Sequence, residues 1–525
     1  MQTLFYNGPI LTMESPIPAA ALLEEDGVIK AVGGLETTAA LAAPGARRAD
    51  LQGRALLPAF IDAHSHLAAA ANSFLQVSLA GAADFDELAR RIKQYIRENG
   101  LAPGEWVRAG GYDHNGLSER RHPTAALLDA AAPENPVVIQ HISGHMGVFN
   151  TAALKFLHTP CREDAVPGGY IQLENGRLTG YMEENAYLQS LDKIPLPEDA
   201  AFLKAFEKAQ KWYLSHGITF AQEGMFHSKL TPLYRQLLAH GLLQLDIIGY
   251  AGFDAAQGVK KAFESLPPGS RFKLGGYKMF LDGSPQGRTA WLREPYLGSD
   301  KRGYATLDNE TVFHQVCQAA REGTQLLAHC NGDAACEQYL SAVEKAARQG
   351  LNVQAIRSVM IHAQLLGLDQ LGRVKKAGII PSFFVAHVYH WGDVHLKNLG
   401  AERAGAISPA AAALEKNIPF TFHQDTPVIA PDMLETVWCA ANRRTKAGRV
   451  LGPAQRIPVY QALRAVTANA AYQYFEEDTR GTLRPGKKAD FVILSQNPLA
   501  VPPEEVRGIK VLATIKNGAP LYVSG

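Results

Sequence analysis

The sequence predicts an α/β protein: a (β/α)8 TIM-type barrel, a small split β-sandwich domain built from both termini, and a large insertion after barrel strand 1. Three observations carry this prediction. Eight apolar runs have the length, β-branched content and turn boundaries of buried parallel strands, and most are separated by helical stretches. Both chain ends alternate short apolar runs with Gly and Pro turns, in the manner of hairpins. Between the first and second runs lies a stretch of about 150 residues, far longer than an ordinary crossover.

Taken in order, TLFYNGPILTM, GVIKAVGG and ADLQGRALLPAF read as a small antiparallel sheet. The barrel runs are ALLPAFIDA (55–63), GITFAQE (217–223), LQLDIIGY (243–250), FKLGGYKMF (272–280), QLLAH (325–329), SVMIHA (358–363), IIPSFFVA (379–386) and IPFTFHQD (418–425). TVFHQVCQAAREG and CEQYLSAVEKAARQG have the character of the helices between them. WVRAGGYD (106–113) and PVVIQHISG (136–144) fall in the long interval and are assigned to strands of the insertion, placed where it could roof the active site. The closing GTLRPGKKADFVILSQNP and VLATIKNGAPLYVSG return to the hairpin style. The expected domains are therefore 1–57 with 476–525 as the composite β-sandwich, and 58–475 as the barrel, with 70–210 inserted over its mouth.

Composition restricts the function. The 525 residues carry 52 Lys plus Arg against 51 Asp plus Glu, a formal net charge of +1, and 46% hydrophobic residues. Scattered basic residues leave no electrostatic footprint for nucleic acid or an anionic membrane, so small-molecule partners are expected. No run approaches the ~18 apolar residues of a spanning helix, and the N-terminus lacks a basic start with a long apolar region, so the expected location is cytoplasmic. Five cysteines are few and odd in number, which suits buried free thiols rather than a disulfide framework. Against them stand 17 histidines, several at the ends of apolar runs.

The clearest local signal is Asp62-Ala63-His64-Ser65-His66, directly after the first barrel run. Residues two apart in extended chain face the same side, so His64 and His66 can reach one metal ion. Alone, such a pair is weak evidence, because histidine pairs are common on surfaces and in satisfied cores. Other ligand-type residues end other strands, at the face where barrel active sites sit. His329 follows QLLA, His362 follows SVMI, Asp425 follows FTFHQ, and Lys278 lies in YKMFLDGS. Each has an ordinary reading: a loop-bonded histidine, a helix cap, a rim lysine paired with Asp282. Their joint occurrence at one face is harder to explain that way.

HSH, YKMFLDGSPQGRTA, LLAHCNGDAA, MIHAQ and HQDTPV, in that order, resemble the amidohydrolase superfamily, and within it the family 3 branch that includes N-substituted formamide deformylase and exoenzyme regulatory proteins of the AepA kind. SGHMGVFN, HVYHWGDVH and the closing GTLRPGKKADFVILSQNP extend the resemblance over nearly the whole chain. The resemblance implies that His64, His66 and Asp425 hold a first metal ion, that His329 and His362 hold a second, and that Lys278, carboxylated by carbon dioxide, bridges them. Imidazole and carboxylate donors suit Zn2+ best, one or two ions per chain, with Fe2+ or Mn2+ as alternatives. It also implies hydrolysis of a non-peptide C–N bond in a small N-substituted amide. A water made acidic by the metal attacks, Asp425 moves its proton as general acid and base, and the second metal or His145 polarises the carbonyl. A homodimer is suggested by the same resemblance.

Two departures stand out. The branch commonly has Glu before the sixth-strand histidine, where this chain has Ile361, and SDAPV where this chain has His423-Gln424-Asp425-Thr426-Pro427. His423 faces the same side as Asp425 in extended chain, either toward the site or as a packed core residue. HVYHWGDVH (387–395) is read as a lid loop after the seventh strand rather than a separate metal site, with His390, Trp391 and Arg403 as substrate-wall contacts. Glu223, ending the second strand, and His145 of the insertion are the other substrate-binding candidates. Two competing functions stay open: a mononuclear heterocycle deaminase, which lacks the bridging lysine, and a non-catalytic regulatory or ligand-binding protein, which has no physical need for six ligand-type residues at one face.

Overall fold

The computed structural model describes residues 1–195, 198–267 and 269–524. Eight parallel strands form one sheet in sequential order. They are β1 (Phe60–Ile61), β2 (Ile218–Phe226), β3 (Asp246–Gly252), β4 (Phe272–Phe280), β5 (Gln325–Cys330), β6 (Val359–His362), β7 (Ile380–Phe383) and β8 (Thr421–Phe422). Every neighbouring pair is parallel. The sheet curls until its edges approach each other: just past the strand ends, the Asp425 N–H donates to the His64 carbonyl at 3.3 Å and the His66 N–H to the Thr426 carbonyl at 2.9 Å.

Alternation sorts the side chains. Leu326, Ala328 and Cys330 of β5 point out into the core shared with the helices, whereas Leu327 points in, beside Ile61, Phe220, Ile248, Tyr250, Val359, Ile361 and Ile380. The helix Ala468–Gln473 and Tyr474 close this inner layer from the other side. Gln473 donates to the Ala63 carbonyl at 2.8 Å, and the Tyr474 hydroxyl donates to that of Asp62 at 2.8 Å. The chain segment leading into His64-Ser65-His66 is thus held from beneath.

The two chain ends meet in a second eight-stranded sheet, in which Ala55–Pro58 pairs antiparallel with Phe491–Leu494. The expected first barrel strand, 55–63, is in fact divided. Ala55–Pro58 serves this terminal sheet and only Phe60–Ile61 serves the parallel one, the handover falling at Ala59. Nor is the N-terminal part purely antiparallel, since Arg47–Asp50 and Ala55–Pro58 run parallel to Gln2–Ile10. The long interval after β1 carries α1 (Leu67–Ser73), a six-stranded sheet spanning Val77–Ser78 to Arg177–Glu183, and α2 (Asp199–Ser215). Its strands Val107–Tyr112 and Val137–His141 correspond to the two apolar runs assigned to the insertion.

Beyond β7 the structure corrects the sequence reading. HVYHWGDVH is not a lid loop but the start of a helix, α3 (His387–Ala406), kinked at Gly400. Further on, α4 (Met433–Asn442) begins at Asp432, whose carboxylate accepts the Leu434 and Glu435 N–H groups. The five cysteines are free, all but Cys161 buried, and among the described residues no helix is long and apolar enough to cross a membrane.

Candidate metal centre

The C-terminal ends of the parallel strands converge on one cluster. Asp425 Oδ1 lies 3.4 Å from both His64 Nε2 and His66 Nε2, and these three ligand atoms are mutually within 4.8 Å. Lys278 Nζ is 3.4 Å from His64 Nε2, and His362 Nε2 is 3.9 Å from Asp425 Oδ2. The His329 and His362 rings are 4.5 Å apart between centroids. All six residues singled out as ligands in the sequence therefore share one site.

Backbone conformation explains how they converge. Lys278 on β4 and His329 on β5 fall on the inward phase of their strands, in register with Leu327 and out of phase with the outward Met279 and Ala328. His362 would by alternation point outward with Met360. A left-handed turn at His362 (φ 68°) and Ala363 (φ 43°) changes its aim, and Asp425 (φ 53°) is left-handed as well. Such conformations cost non-glycine residues about 1–3 kcal/mol each, and the surrounding packing maintains them at functional sites.

Hydrogen bonds set the histidine tautomers. The Gln222 amide donates to the Ala63 carbonyl and to the Tyr474 hydroxyl, so its oxygen is left to accept from His64 Nδ1. With the proton on Nδ1, His64 turns the lone pair of Nε2 toward Asp425. Burial holds His64, His329 and His362 well below the ordinary imidazole range, so these rings are neutral donors. Burial opposes the Asp425 charge, but the neighbouring His66 imidazole outweighs it and holds that carboxylate below its usual value. Burial also brings the Lys278 ammonium down to about 7.

These donors fit a metal ion. Asp425 Oδ1 is buried without a hydrogen-bond partner while facing two imidazole nitrogens, one of them fixed as a lone pair. Buried acceptors facing one another without a proton between them are unfavourable unless a cation lies among them.

Supporting groups surround the cluster. Asp282 accepts the Asn331, Gly332 and Trp291 N–H groups, fixing the turn after His329, and burial raises its carboxyl to about 7. From the six-stranded sheet, His145 reaches in until its ring is 4.7 Å from that of His329, with Nδ1 held 2.8 Å from Glu184 Oε2. Burial works against its charge, but the Glu184 carboxylate raises its pKa overall.

The remaining substrate-binding candidates each have partners of their own, and Glu223 is bridged through its backbone to His66. Glu223 accepts the Ala68 N–H at 2.7 Å, in the first turn of α1, and the Tyr234 hydroxyl at 2.8 Å. His390 is paired with Glu435 at 2.7 Å, and Arg403 donates to the Leu399, Glu294 and Pro295 carbonyls, tying down a loop. Trp391 is buried and donates to Asp113 at 3.3 Å, joining α3 to the six-stranded sheet. Sequence reasoning leaves three contributors without a role: Gln222, Asp282 and His423. Gln222 lies two residues after the inward Phe220, and that spacing is the signal that could have found it.

Asp113, His114 and His141 form a second group of ligand-type atoms. Here the Ser143 N–H points at His141 Nδ1, which therefore accepts. With Nδ1 accepting, the ring's proton is on Nε2, 3.6 Å from Asp113 and 3.1 Å from His114 Nδ1, so the group is internally hydrogen-bonded.

An eight-stranded parallel α/β sheet with histidine, aspartate and lysine donors at the C-terminal ends of its strands is the build of a metal-dependent enzyme, and its relatives narrow the class to the metal-dependent hydrolases. The structure superposes on that of an uncharacterized metal-dependent hydrolase from Pyrococcus horikoshii with a TM-score of 0.78 and 25% identity, covering 96% of this chain and 99% of the other. Residues 48–522 match the model of the amidohydrolase family, and the chain belongs to that family. It is 27% identical over 521 residues to N-substituted formamide deformylase of Arthrobacter pascens, covering 96% of this chain and 95% of the relative. It is also 27% identical over 414 residues to the exoenzymes regulatory protein AepA of Pectobacterium carotovorum, covering 75% and 87% respectively.

Proposed function

We propose that the protein hydrolyses the C–N bond of a small N-substituted amide at a metal centre held by His64, His66, Lys278, His329, His362 and Asp425. The observation that carries this reading is the buried, unpartnered Asp425 Oδ1 facing His64 and His66 at 3.4 Å. His64, His66 and Asp425 would hold one ion, His329 and His362 a second, with Zn2+ suiting these donors first. Metal bound there supplies Lewis acidity and lowers the pKa of a coordinated water from about 16 toward roughly 7. We read the curled sheet as a closed (β/α)8 barrel, residues 1–57 and 476–525 as its composite β-sandwich, and 70–210 as the subdomain roofing it.

Lys278 suits the bridging role because its amine is in part neutral near pH 7. The free amine adds to carbon dioxide, forming an N–C bond and releasing a proton. A cation that would repel metal thus becomes an anionic oxygen donor. Asp425 accepts the proton of the attacking water at its carboxylate and returns it to the departing nitrogen, which leaves as the amine. His145, its charged form favoured by the Glu184 carboxylate that accepts from Nδ1–H, would present its Nε2–H to the substrate carbonyl oxygen, where negative charge develops.

The test is elemental analysis of protein purified with bicarbonate, followed by a screen of N-formyl and N-acyl amines. About two equivalents of metal, with loss in Lys278→Ala, and release of free amine support the reading. One equivalent that is insensitive to Lys278→Ala would instead favour the mononuclear deaminase, and absence of metal under every condition would refute both.

A further inference from the structure

His423 stands where the resemblance leads one to expect no imidazole, and the proton-activating chemistry proposed above leaves it without a task. It is fully buried. His423 Nδ1 is 2.9 Å from Ser382 Oγ, and His423 Nε2 is 3.1 Å from His362 Nδ1. Both ring nitrogens are thus engaged, so His423 has no lone pair left for a metal ion and is not a seventh ligand.

We infer that His423 is a positioning residue that fixes the tautomer of His362: Ser382, His423 and His362 form a relay of hydrogen bonds that leaves His362 Nε2 as an open lone pair directed at the metal site. The inference rests on the reading that His362 is a metal ligand.

The proton count admits two arrangements. One proton occupies the 3.1 Å contact between the two imidazoles. If it belongs to His362 Nδ1, His423 Nε2 accepts, His423 Nδ1 carries the second proton and donates to Ser382 Oγ, and His362 Nε2 is free on the side of Asp425. If it belongs to His423 Nε2, Ser382 must donate instead and His362 Nε2 carries a proton where a cation would bind. A cation at the site selects the first arrangement, and the serine hydroxyl, able to donate or accept, permits it.

Among the described residues, the neighbours of these rings offer His362 Nδ1 no other acceptor. The residue before His362 is Ile361, packed in the inner layer with Val359 and Leu327, so β6 itself supplies no carboxylate beside the ring. His64 and Phe384 meet His423 through ring contacts, with centroids 5.3 Å away in each case. The left-handed backbone that redirects His362 away from the strand's alternation also brings its Nδ1 to the extension of β8, where His423 lies. Partners of this kind orient a metal-bound imidazole, and their loss typically weakens metal affinity about 10–100-fold.

The test compares wild type, His423→Phe, His423→Gln and Ser382→Ala, each reconstituted with Zn2+ and bicarbonate. Zinc affinity is read by competition with a chelator and fold integrity by circular dichroism of the metal-free chain. His423→Phe keeps the ring volume but no acceptor, and an affinity for zinc about 10–100-fold weaker is expected. His423→Gln places an amide oxygen near the lost nitrogen and is expected to recover most of that affinity, which a purely space-filling role would not produce. Ser382→Ala, which leaves both rings in place, is expected to lose affinity in the same direction by a smaller factor. Wild-type affinity in His423→Phe, or equal losses in the Phe and Gln variants, would overturn the relay while leaving the metal-centre reading intact. A wild-type protein that takes up no zinc would instead defeat that reading, and the relay with it.

Discussion

At the scale of single residues, the candidate centre combines atoms that chemistry keeps apart unless a cation joins them, and two substitutions separate the roles of its parts. Asp425→Asn removes the proposed proton acceptor while leaving an oxygen donor beside His64 and His66. Metal should be partly retained and turnover should fall by about 10²–10⁴-fold, checked by elemental analysis alongside steady-state rates on whichever amide the screen identifies. Gln222→Leu removes the acceptor that keeps the His64 proton on Nδ1. Metal affinity should fall by about 10–100-fold in a chelator titration, and an unchanged affinity would show that His64 orients itself without help. Legibility differs residue by residue for physical reasons. Lys278 and His329 are readable because they keep the alternating phase of their strands. His362 is conspicuous only as a histidine at a strand end; its aim depends on a left-handed turn that the strand period does not encode. Gln222 looks like any buried amide in sequence, since its function lies in partners distant along the chain, such as Ala63, 159 positions away.

Elements place these residues, and here the sequence is legible in its strands and less so in the segments after them. FKLGGYKMF coincides with β4, whereas ALLPAFIDA reads as one strand because an apolar run carries no mark of a change of sheet. HVYHWGDVH reads as a lid because the face that α3 buries, His387, Val388, Trp391, Gly392, His395, Asn398 and Leu399, is in large part polar or glycine and so shows no apolar stripe in the sequence. Glu223 shows the consequence for function. Its position at the end of a strand suggests substrate contact, but its carboxylate caps α1 through the Ala68 N–H and holds Tyr234. Glu223→Ala should therefore cost about 1–3 kcal/mol of stability, because a buried N–H and a buried hydroxyl lose their acceptor. Denaturant unfolding of the metal-free chain measures this directly. A variant as stable as wild type but with a raised KM would return Glu223 to the substrate wall.

For the whole molecule, the question is what holds the terminal sheet to the parallel one, since the chain passes between them within a single residue at Ala59 on one side and returns through residues 475–490 on the other. The answer includes a buried ion network. Asp246, at the start of β3, accepts from Arg480 at 2.8 Å and from Lys516 of the C-terminal strand Val511–Lys516 at 2.7 Å, and Asp490 lies 3.5 Å from Arg480. Neither half of this network is legible in the sequence, because Asp246 lies far along the chain from its partners and each member looks like an ordinary surface charge. Such a network is poor evidence of net stabilisation when compared with an apolar core, but removing one member leaves the others buried and uncompensated. Asp246→Asn should thus destabilise the protein by about 3–5 kcal/mol, with the loss shared by the terminal sheet and the parallel sheet rather than confined to either. The pH dependence fixes the sign. Burial opposes the Asp246 charge, but Lys516 and Arg480 together draw its carboxyl from 3.8 down to about 2. A depressed carboxylate contributes stability that is present above its unfolded value and lost as pH falls through its folded one. The stability gap between wild type and Asp246→Asn should therefore be constant near neutrality and close between about pH 4 and pH 2. Urea unfolding of the full chain at a series of pH values checks this, and a gap that persisted unchanged at about pH 2 would show that Asp246 acts through shape rather than charge.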